Sequence, residues 1–282
     1  MNIIVCIKQV PSSNEVHLDP VTHTLVRDGR NSVINPFDSF AVEEAVRIKE
    51  ALGGKVTVLS MGIPAVESLL RDAVSRGADE AVLLTDRAFA GADTLATSYA
   101  LSLGVQAIGA YDLILCGKMA VDGDTAQIGP ELAETLGIPH VTEVRSILSI
   151  SEQELICLKV SDGEEQQLKV KLPALLTVLK DINMPRLPSI PGVKRGLAAE
   201  CRILSATDVA ADKDRCGLSG SPTQVVATFV PQRNQATVEI YGSAAEQASE
   251  LISILQLTGA KASMTDDGDH SLYATVHGEV TR

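Results

Sequence analysis

The chain has no tryptophan, and aromatic residues make up only 3% of its 282 residues. A surface that grips single-stranded nucleic acid by stacking bases on aromatic rings is therefore a poor fit. Positive charge is also short: 24 Lys and Arg stand against 36 Asp and Glu, for a net charge of −12. Phosphate-backbone binding needs clustered Lys and Arg, so nucleic acid is not expected as a partner. Cysteine is sparse and unpatterned. Cys6, Cys116, Cys157, Cys201 and Cys216 contain no CxxC pair and are odd in number, which speaks against a disulfide framework or a zinc site. His17, His23, His140, His270 and His277 show no metal-ligand spacing, so no metal is expected. No apolar run reaches the roughly 18 residues of a membrane span, so no membrane insertion is expected. The start, Met1-Asn2-Ile3-Ile4-Val5, lacks the basic flank and cleavage site of a secretion signal, and a cytoplasmic protein is the expectation. Neither GxGxxG nor GxxxxGK[ST] occurs, so both common phosphate-loop fingerprints are missing.

What is present is alternation. With 45% hydrophobic residues, the chain can build a large core. Short continuous apolar runs at Ile3 to Ile7, Val56 to Leu59, Ala81 to Leu84 and Leu113 to Cys116 read as strands covered on both faces. Between them lie helical periods: Ala41, Ala45, Ile48 and Leu52; Leu95, Tyr99 and Leu103; Ile128, Leu132 and Leu136. Strands alternating with helices predict an α/β fold with a parallel sheet. Helix starts are marked by Asn35-Pro36-Phe37-Asp38, by Asp93, and by Asp124-Thr125-Ala126-Gln127, a capping box in outline.

After about residue 143 the texture changes. Val144 to Ile150, Glu154 to Val160 and Gln166 to Val170 predict short antiparallel strands, with a turn at Ser161-Asp162-Gly163. Residues 181–196 hold Pro185, Pro188 and Pro191 with Gly192 and Gly196, and read as a loop without regular helix. Ser205 to Ala210 starts a short helix, Asp214 to Gln235 reads as extended, Ala244 to Leu257 as a final helix, and the polar end as mobile. Two regions follow: a nucleotide-binding domain over 1–196, and an extended C-terminal arm and helix over 197–282.

In an open parallel sheet, ligands bind beyond the carboxyl ends of the strands. Four segments are expected there: Cys6 to Pro11, Ser60-Met61-Gly62, Thr85 to Thr97, and Gly117 to Gly129. The last is a loop entering a helix, where free N–H groups and the helix dipole favour phosphate. Gly123 and Gly129 permit close approach of a ligand, and Thr125 adds a hydroxyl. Asp124 caps the helix, and Asp122 faces a ribose hydroxyl or an amide. An ordinary capped helix after a βα turn fits the same spacing. No side chain is assigned as acid, base or nucleophile, so the catalytic set is empty.

The chain resembles the β subunit of electron transfer flavoproteins from its first residue to about residue 260. The resemblance rests on Ile7-Lys8-Gln9-Val10-Pro11, on Asn35-Pro36-Phe37-Asp38 followed by Ala41-Val42-Glu43-Glu44-Ala45, on Asp122 to Pro130, and on Gly220-Ser221-Pro222-Thr223. It implies that Cys6, Asn35, Phe37, Asp38, Met61 and the stretch Asp122, Gly123, Asp124, Thr125, Ala126, Gln127, Ile128 and Gly129 onward to Ala133 line an adenine-nucleotide pocket. It also implies that the arm from Leu197 reaches an FAD-bearing α subunit. The Asp122 to Gln127 loop together with Asp93-Thr94-Leu95-Ala96-Thr97 is similar to the electron-bifurcating branch, in which the pocket holds FAD. Asp93, Thr94 and Thr97 therefore join the cofactor set. In the ordinary branch the same pocket holds AMP.

The bifurcating resemblance implies NADH as donor. It implies ferredoxin or flavodoxin as one acceptor, and the α-subunit FAD feeding a partner dehydrogenase as the other. Asp181 to Gly192 resembles the loop by which the family docks that dehydrogenase, with Ile190 as the anchor and Leu187 next. The loop departs from the family at Pro191 and at the short basic run Lys194-Arg195, leaving an acyl-CoA dehydrogenase and a 2-hydroxyacid (lactate) dehydrogenase both open. A reading of another class, a nucleotide-binding regulatory domain, needs no flavoprotein partner and no arm.

Overall fold

The computed structural model describes residues 1–12, 32–226 and 239–257. In chain order the elements are β1 (Asn2–Cys6), β2 (Gln9–Pro11), β3 (Ser32–Ile34), α1 (Pro36–Leu52), β4 (Lys55–Met61), α2 (Glu67–Ser75), β5 (Glu80–Leu84), α3 (Thr94–Ile108), β6 (Leu113–Gly117), α4 (Ile128–Leu136), β7 (His140–Ile150), β8 (Glu154–Ser161), β9 (Glu164–Lys171), β10 (Ala174–Val178), α5 (Ile190–Ala198), β11 (Cys201–Leu204) and α6 (Ala244–Leu257). The chain divides into two compact units, Met1–Val226 and Ala227–Arg282. Residues 197–226 thus lie within the first unit. In the second, α6 has the bounds read from its sequence, and Ser243 accepts from and donates to Glu246 at its start.

The first unit is built on a nine-stranded sheet in the order β11-β5-β4-β1-β6-β10-β7-β8-β9. Every pairing from β11 to β7 is parallel, and β8 and β9 continue it antiparallel as a hairpin. The hairpin turns at Asp162 and Gly163, both at positive φ, as a two-residue loop of this kind requires. The expected α/β class and parallel sheet are present.

The continuous apolar strands are explained by their two faces. Ile3 and Val5 point into one core cluster with Val42, Ala45, Leu70 and Val74 from α1 and α2. Ile4 and Cys6 point into another with Tyr99, Ala100, Leu101 and Leu132 from α3 and α4. Side chains alternate across a strand, so only an unbroken apolar run serves both layers. No helix among the described residues is long and apolar enough to cross a membrane.

Several expectations need correction. Leu52 and Leu95 are exposed at helix ends rather than part of a buried face, and Ala96, Tyr99 and Ala100 carry the α3 contact instead. Ser205 to Ala210 forms hydrogen-bonded turns, not a helix. Asp214 to Thr223 is not extended: Lys213–Arg215 is a 3-10 turn, further turns follow, and Gly217 packs on the Ala88 carbonyl. Residues 227–235 of that stretch, and the polar end from 258, lie outside the described residues. The proline-rich stretch 181–196 is a loop only to Ser189. It then becomes α5, because Pro191 sits in the first turn, where its missing N–H costs nothing. β2, β3, β10 and β11 add strands beyond those expected.

Candidate nucleotide site

The strand order reverses at the centre of the sheet, where β1 is flanked by β4 and β6. The crevice between the carboxyl ends of β1 and β6 is the place where such sheets bind ligands. Cys6 and Cys116 are register partners at its floor. Both are buried, and the thiol of Cys116 is pushed well above its ordinary value by its hydrogen bond with Cys6 and by burial.

Asp38, in the first turn of α1, ties the two strand ends together. Its Oδ2 accepts from Lys8 N at 2.8 Å and its Oδ1 from Gly117 N at 3.1 Å. Gly117 is required for this approach, since a Cβ there would lie 2.4 Å from Asp38 Oδ1 and 2.6 Å from Phe37 Cβ. Burial pushes the Asp38 carboxyl up to about 7, although Asn35, the two backbone N–H groups and the Lys8 charge pull it down.

Asn35 does not cap α1 with its side chain, contrary to expectation. It is buried and holds the β6–α4 loop instead: Nδ2 donates to Met119 O at 2.9 Å, and Oδ1 accepts from Val121 N at 3.1 Å. The same loop is latched by an ion pair of 2.6 Å between Lys8 Nζ and Asp122 Oδ1. Asp122 thus faces an ammonium within the chain, not an amide, and Lys8 offsets the acid that would otherwise repel a phosphate.

The capping box is also corrected. Gln127 is the N-cap of α4 and makes no side-chain capping bond, and Asp124 lies one turn too early to cap. Asp124 and Ala126 both have positive φ, at 51° and 53°, which bends the loop before the helix begins. The N–H groups of the first turn of α4 are therefore left without an acceptor from the cap, the arrangement that suits an anionic ligand. Gly129 has a packing role. A Cβ there would lie 2.3 Å from Thr177 Cγ2 on β10, whereas one at Gly123 would meet nothing within 4 Å.

The N-terminus of α3 joins the site from the side. Asp93 caps it as expected, accepting from Ala96 N at 3.1 Å. Its other oxygen accepts from Thr223 N and Oγ1 at 3.0 and 2.9 Å, while Asp93 N donates to Ser221 Oγ at 2.8 Å. Burial acts to raise the Asp93 carboxyl, but these bonds prevail and hold it below its ordinary value. Thr94 Oγ1 donates to Glu131 Oε1 at 3.1 Å and lies 3.5 Å from Gln127 Oε1. Glu131 Oε2 is buried with no partner at full hydrogen-bond geometry, and burial with the nearby Asp93 charge raises the Glu131 carboxyl against the pull of the Thr94 and Ser98 hydroxyls.

The structure thus gathers Cys6, Asn35, Phe37, Asp38 and Asp122 about the β1/β6 crevice, and Thr94 with Gln127 beside it. Thr97 lies along α3, half-buried, and Met61 ends β4 and packs on the α3/α4 side of the sheet. Leu187 and Ile190 lie apart from the crevice elements and are exposed. Lys8 and Glu131 fall within the expected segments Cys6 to Pro11 and Asp122 to Ala133, but no individual role was read for either. The acid in the first turn of α4 was a visible signal for Glu131, but no local pattern pairs Lys8 with a residue 114 positions away.

Comparison with known proteins bears on this geometry. The electron transfer flavoprotein domain family matches residues 22–209. The chain is 51% identical over 253 residues to an electron transfer flavoprotein subunit beta of Thermoanaerobacterium thermosaccharolyticum, covering 89% of this chain and 96% of that one. It is 42% identical over 258 residues to the caffeyl-CoA reductase-Etf complex subunit CarD of Acetobacterium woodii, covering 91% and 98%. It is 41% identical over 268 residues to the protein FixA of Bradyrhizobium diazoefficiens, covering 93% of each chain.

Proposed function

The chain belongs to the electron transfer flavoprotein family as a β subunit, and from that premise we propose that its β1/β6 crevice holds FAD and that the subunit bifurcates electrons from NADH. When bound, the flavin supplies two-electron acceptance and one-electron release. A flavin held there would serve a ferredoxin or flavodoxin as one acceptor and the α-subunit FAD, feeding a partner dehydrogenase, as the other.

The chain's own residues bind and orient. Asn35 and Lys8 fix the β6–α4 loop over the crevice, so the uncapped first turn of α4 is ready for a phosphate before it arrives. The observation that carries the reading is the junction of the α3 and α4 N-termini, where Thr94 binds Glu131 and Glu131 Oε2 stays buried with no hydrogen bond of full geometry, the Ser98 hydroxyl being its neighbour. Such an atom costs free energy unless a ligand hydroxyl or N–H reaches it, so these residues fit a polar ligand extending from the crevice toward α3. The segment 197–282 provides the α-subunit arm in this reading. Leu187 and Ile190 provide the anchors for a flavin-dependent dehydrogenase. The name of the Acetobacterium relative places that protein with a CoA-thioester reductase, which favours an acyl-CoA dehydrogenase over a 2-hydroxyacid dehydrogenase here.

Co-purification with the α subunit tests the reading. Two FAD per heterodimer, one of them reduced by NADH, is the expected outcome. One FAD with one AMP and no reaction with NADH would replace it with an ordinary electron carrier. Stable expression of this chain alone, without nucleotide or partner, would favour a regulatory nucleotide-binding domain.

A further inference from the structure

The N-termini of α3 and α4 meet beside the crevice, and they present opposite chemistry. The first turn of α3 is already satisfied. Asp93 accepts from Ala96 N at 3.1 Å, and its carboxyl also takes the Leu95 N–H. Its other oxygen is filled by Thr223 N and Oγ1. Little is left there to receive an anion, and the ionised Asp93 opposes a phosphate. The first turn of α4 has no side-chain cap, because Gln127 makes no capping bond. Its N–H groups await an acceptor. A phosphate therefore suits α4 and not α3.

Thr94, half-buried, stands between the two. Its single hydroxyl proton goes to Glu131 Oε1 at 3.1 Å, and Gln127 Oε1 lies 3.5 Å away as a second acceptor. Both neighbours draw the proton toward α4, so the lone pairs of the oxygen are what Thr94 offers a ligand. A threonine hydroxyl with its proton free could donate to a phosphate oxygen instead. Glu131 takes that option away. Ser98, beside Glu131, has its own proton committed to Leu95 O at 2.9 Å. Glu131 Oε2 adds a further acceptor with no full hydrogen bond. The Thr94–Glu131 pair therefore suits a donor, an O–H or N–H, and not a phosphate.

We propose that Glu131 is a positioning residue that sets ligand choice: by holding the Thr94 proton, it reserves the space beyond the phosphate site for a polyhydroxyl chain or an N–H group. The inference rests on the nucleotide reading above and deepens it. A mononucleotide that ends in its phosphate at α4 leaves the Thr94 oxygen and Glu131 Oε2 without a donor. A dinucleotide whose chain continues past its phosphates with hydroxyls supplies one. The selectivity is carried by hydrogen-bond polarity. Polarity discriminates more sharply than apolar contact, because the wrong group leaves buried polar atoms unpaired.

The test uses the complete heterodimer. The nucleotide bound in the crevice is displaced by ADP-ribose, which carries ribose hydroxyls past its phosphates, or by ADP, which ends in one. What is released is identified and quantified by chromatography. Wild type prefers ADP-ribose over ADP about tenfold. Thr94→Val, close to threonine in shape, removes the acceptor and loses the preference. Glu131→Ala frees the Thr94 proton, so ADP gains and ADP-ribose falls until the two compete equally. Glu131→Gln keeps a carbonyl oxygen for Thr94 and restores the preference that Glu131→Ala loses. A packing role alone would weaken both ligands equally and would show no such rescue. Equal competition by the two ligands in wild type, or a Glu131→Ala heterodimer that keeps the preference, overturns the proposal. Release of AMP from wild type, with the preference for ADP-ribose intact, would overturn the FAD reading and leave the assignment of Glu131 standing.

Discussion

Asp38 shows how one residue can carry both architecture and pH sensitivity. Its oxygens take the N–H groups that follow β1 and end β6, so the mouth of the crevice depends on it. Its folded value of about 7 lies above the ordinary 3.8, because burial penalises the charge. Between those values the folded state binds the extra proton, so the contribution of Asp38 is fullest below 3.8 and is lost as pH rises through about 7. The loss amounts to about 4 kcal/mol at most. Asp38→Asn removes this titration but misplaces an N–H donor against a backbone N–H, at a pH-independent cost of about 1–3 kcal/mol. The variant is therefore less stable than wild type at pH 4, and the gap narrows or reverses by pH 8. Thermal midpoints across that range check it; a gap that stays constant would mean that Asp38 does not titrate there. The sequence showed Asn35 and Asp38 as cap and first-turn acid. It could not show that both turn inward, because their partners lie 30 to 86 residues away.

At the scale of elements, α4 and α5 both meet their neighbours through glycine, with opposite lessons about the sequence. Gly129 lies in the loop that the family resemblance singled out, yet it packs α4 onto Thr177. Thr177 cannot yield by rotating, because its Oγ1 accepts from Glu143 N at 3.1 Å. Gly129→Ala therefore overpacks the α4/β10 contact and costs about 1–3 kcal/mol in denaturant unfolding. Gly123→Ala, in open space, stays within about 0.5 kcal/mol of wild type. Equal effects would contradict this division between packing and loop glycines. α5 was hidden in the sequence because Pro185, Pro188 and Pro191 dominate a local reading, and Pro191 at a helix start looks like Pro191 in a loop until the helix is seen. β10 was hidden for a related reason. It enters the sheet between β6 and β7 after the β8–β9 hairpin, a pairing set by distant strands and not by any local period.

At the scale of the molecule, Met1–Val226 contains the sheet, both core layers and the whole candidate site. Asp86 and Asp93 draw residues 206 and 221–223 onto the β5–α3 loop, so the chain up to Thr223 is part of this body. A chain ending at Val226 unfolds in a single cooperative transition, as seen by calorimetry. On the arm reading it no longer co-purifies with the α subunit, and capture equal to that of the full chain would remove 227–282 from the α-subunit interface. By itself the sequence determined the α/β class, the central strands, the cap of α3, the bounds of α6 and the family. These rest on local periods, local capping and shared motifs, all of which lie within a few residues of one another. Tertiary structure alone decided that Asn35 and Lys8 hold the β6–α4 loop, that Thr94 and Glu131 meet, and that Arg186 ties a proline-rich stretch to α1. Each of these is a pairing across the chain, and only the packed sheet and its helices bring such distant residues into contact.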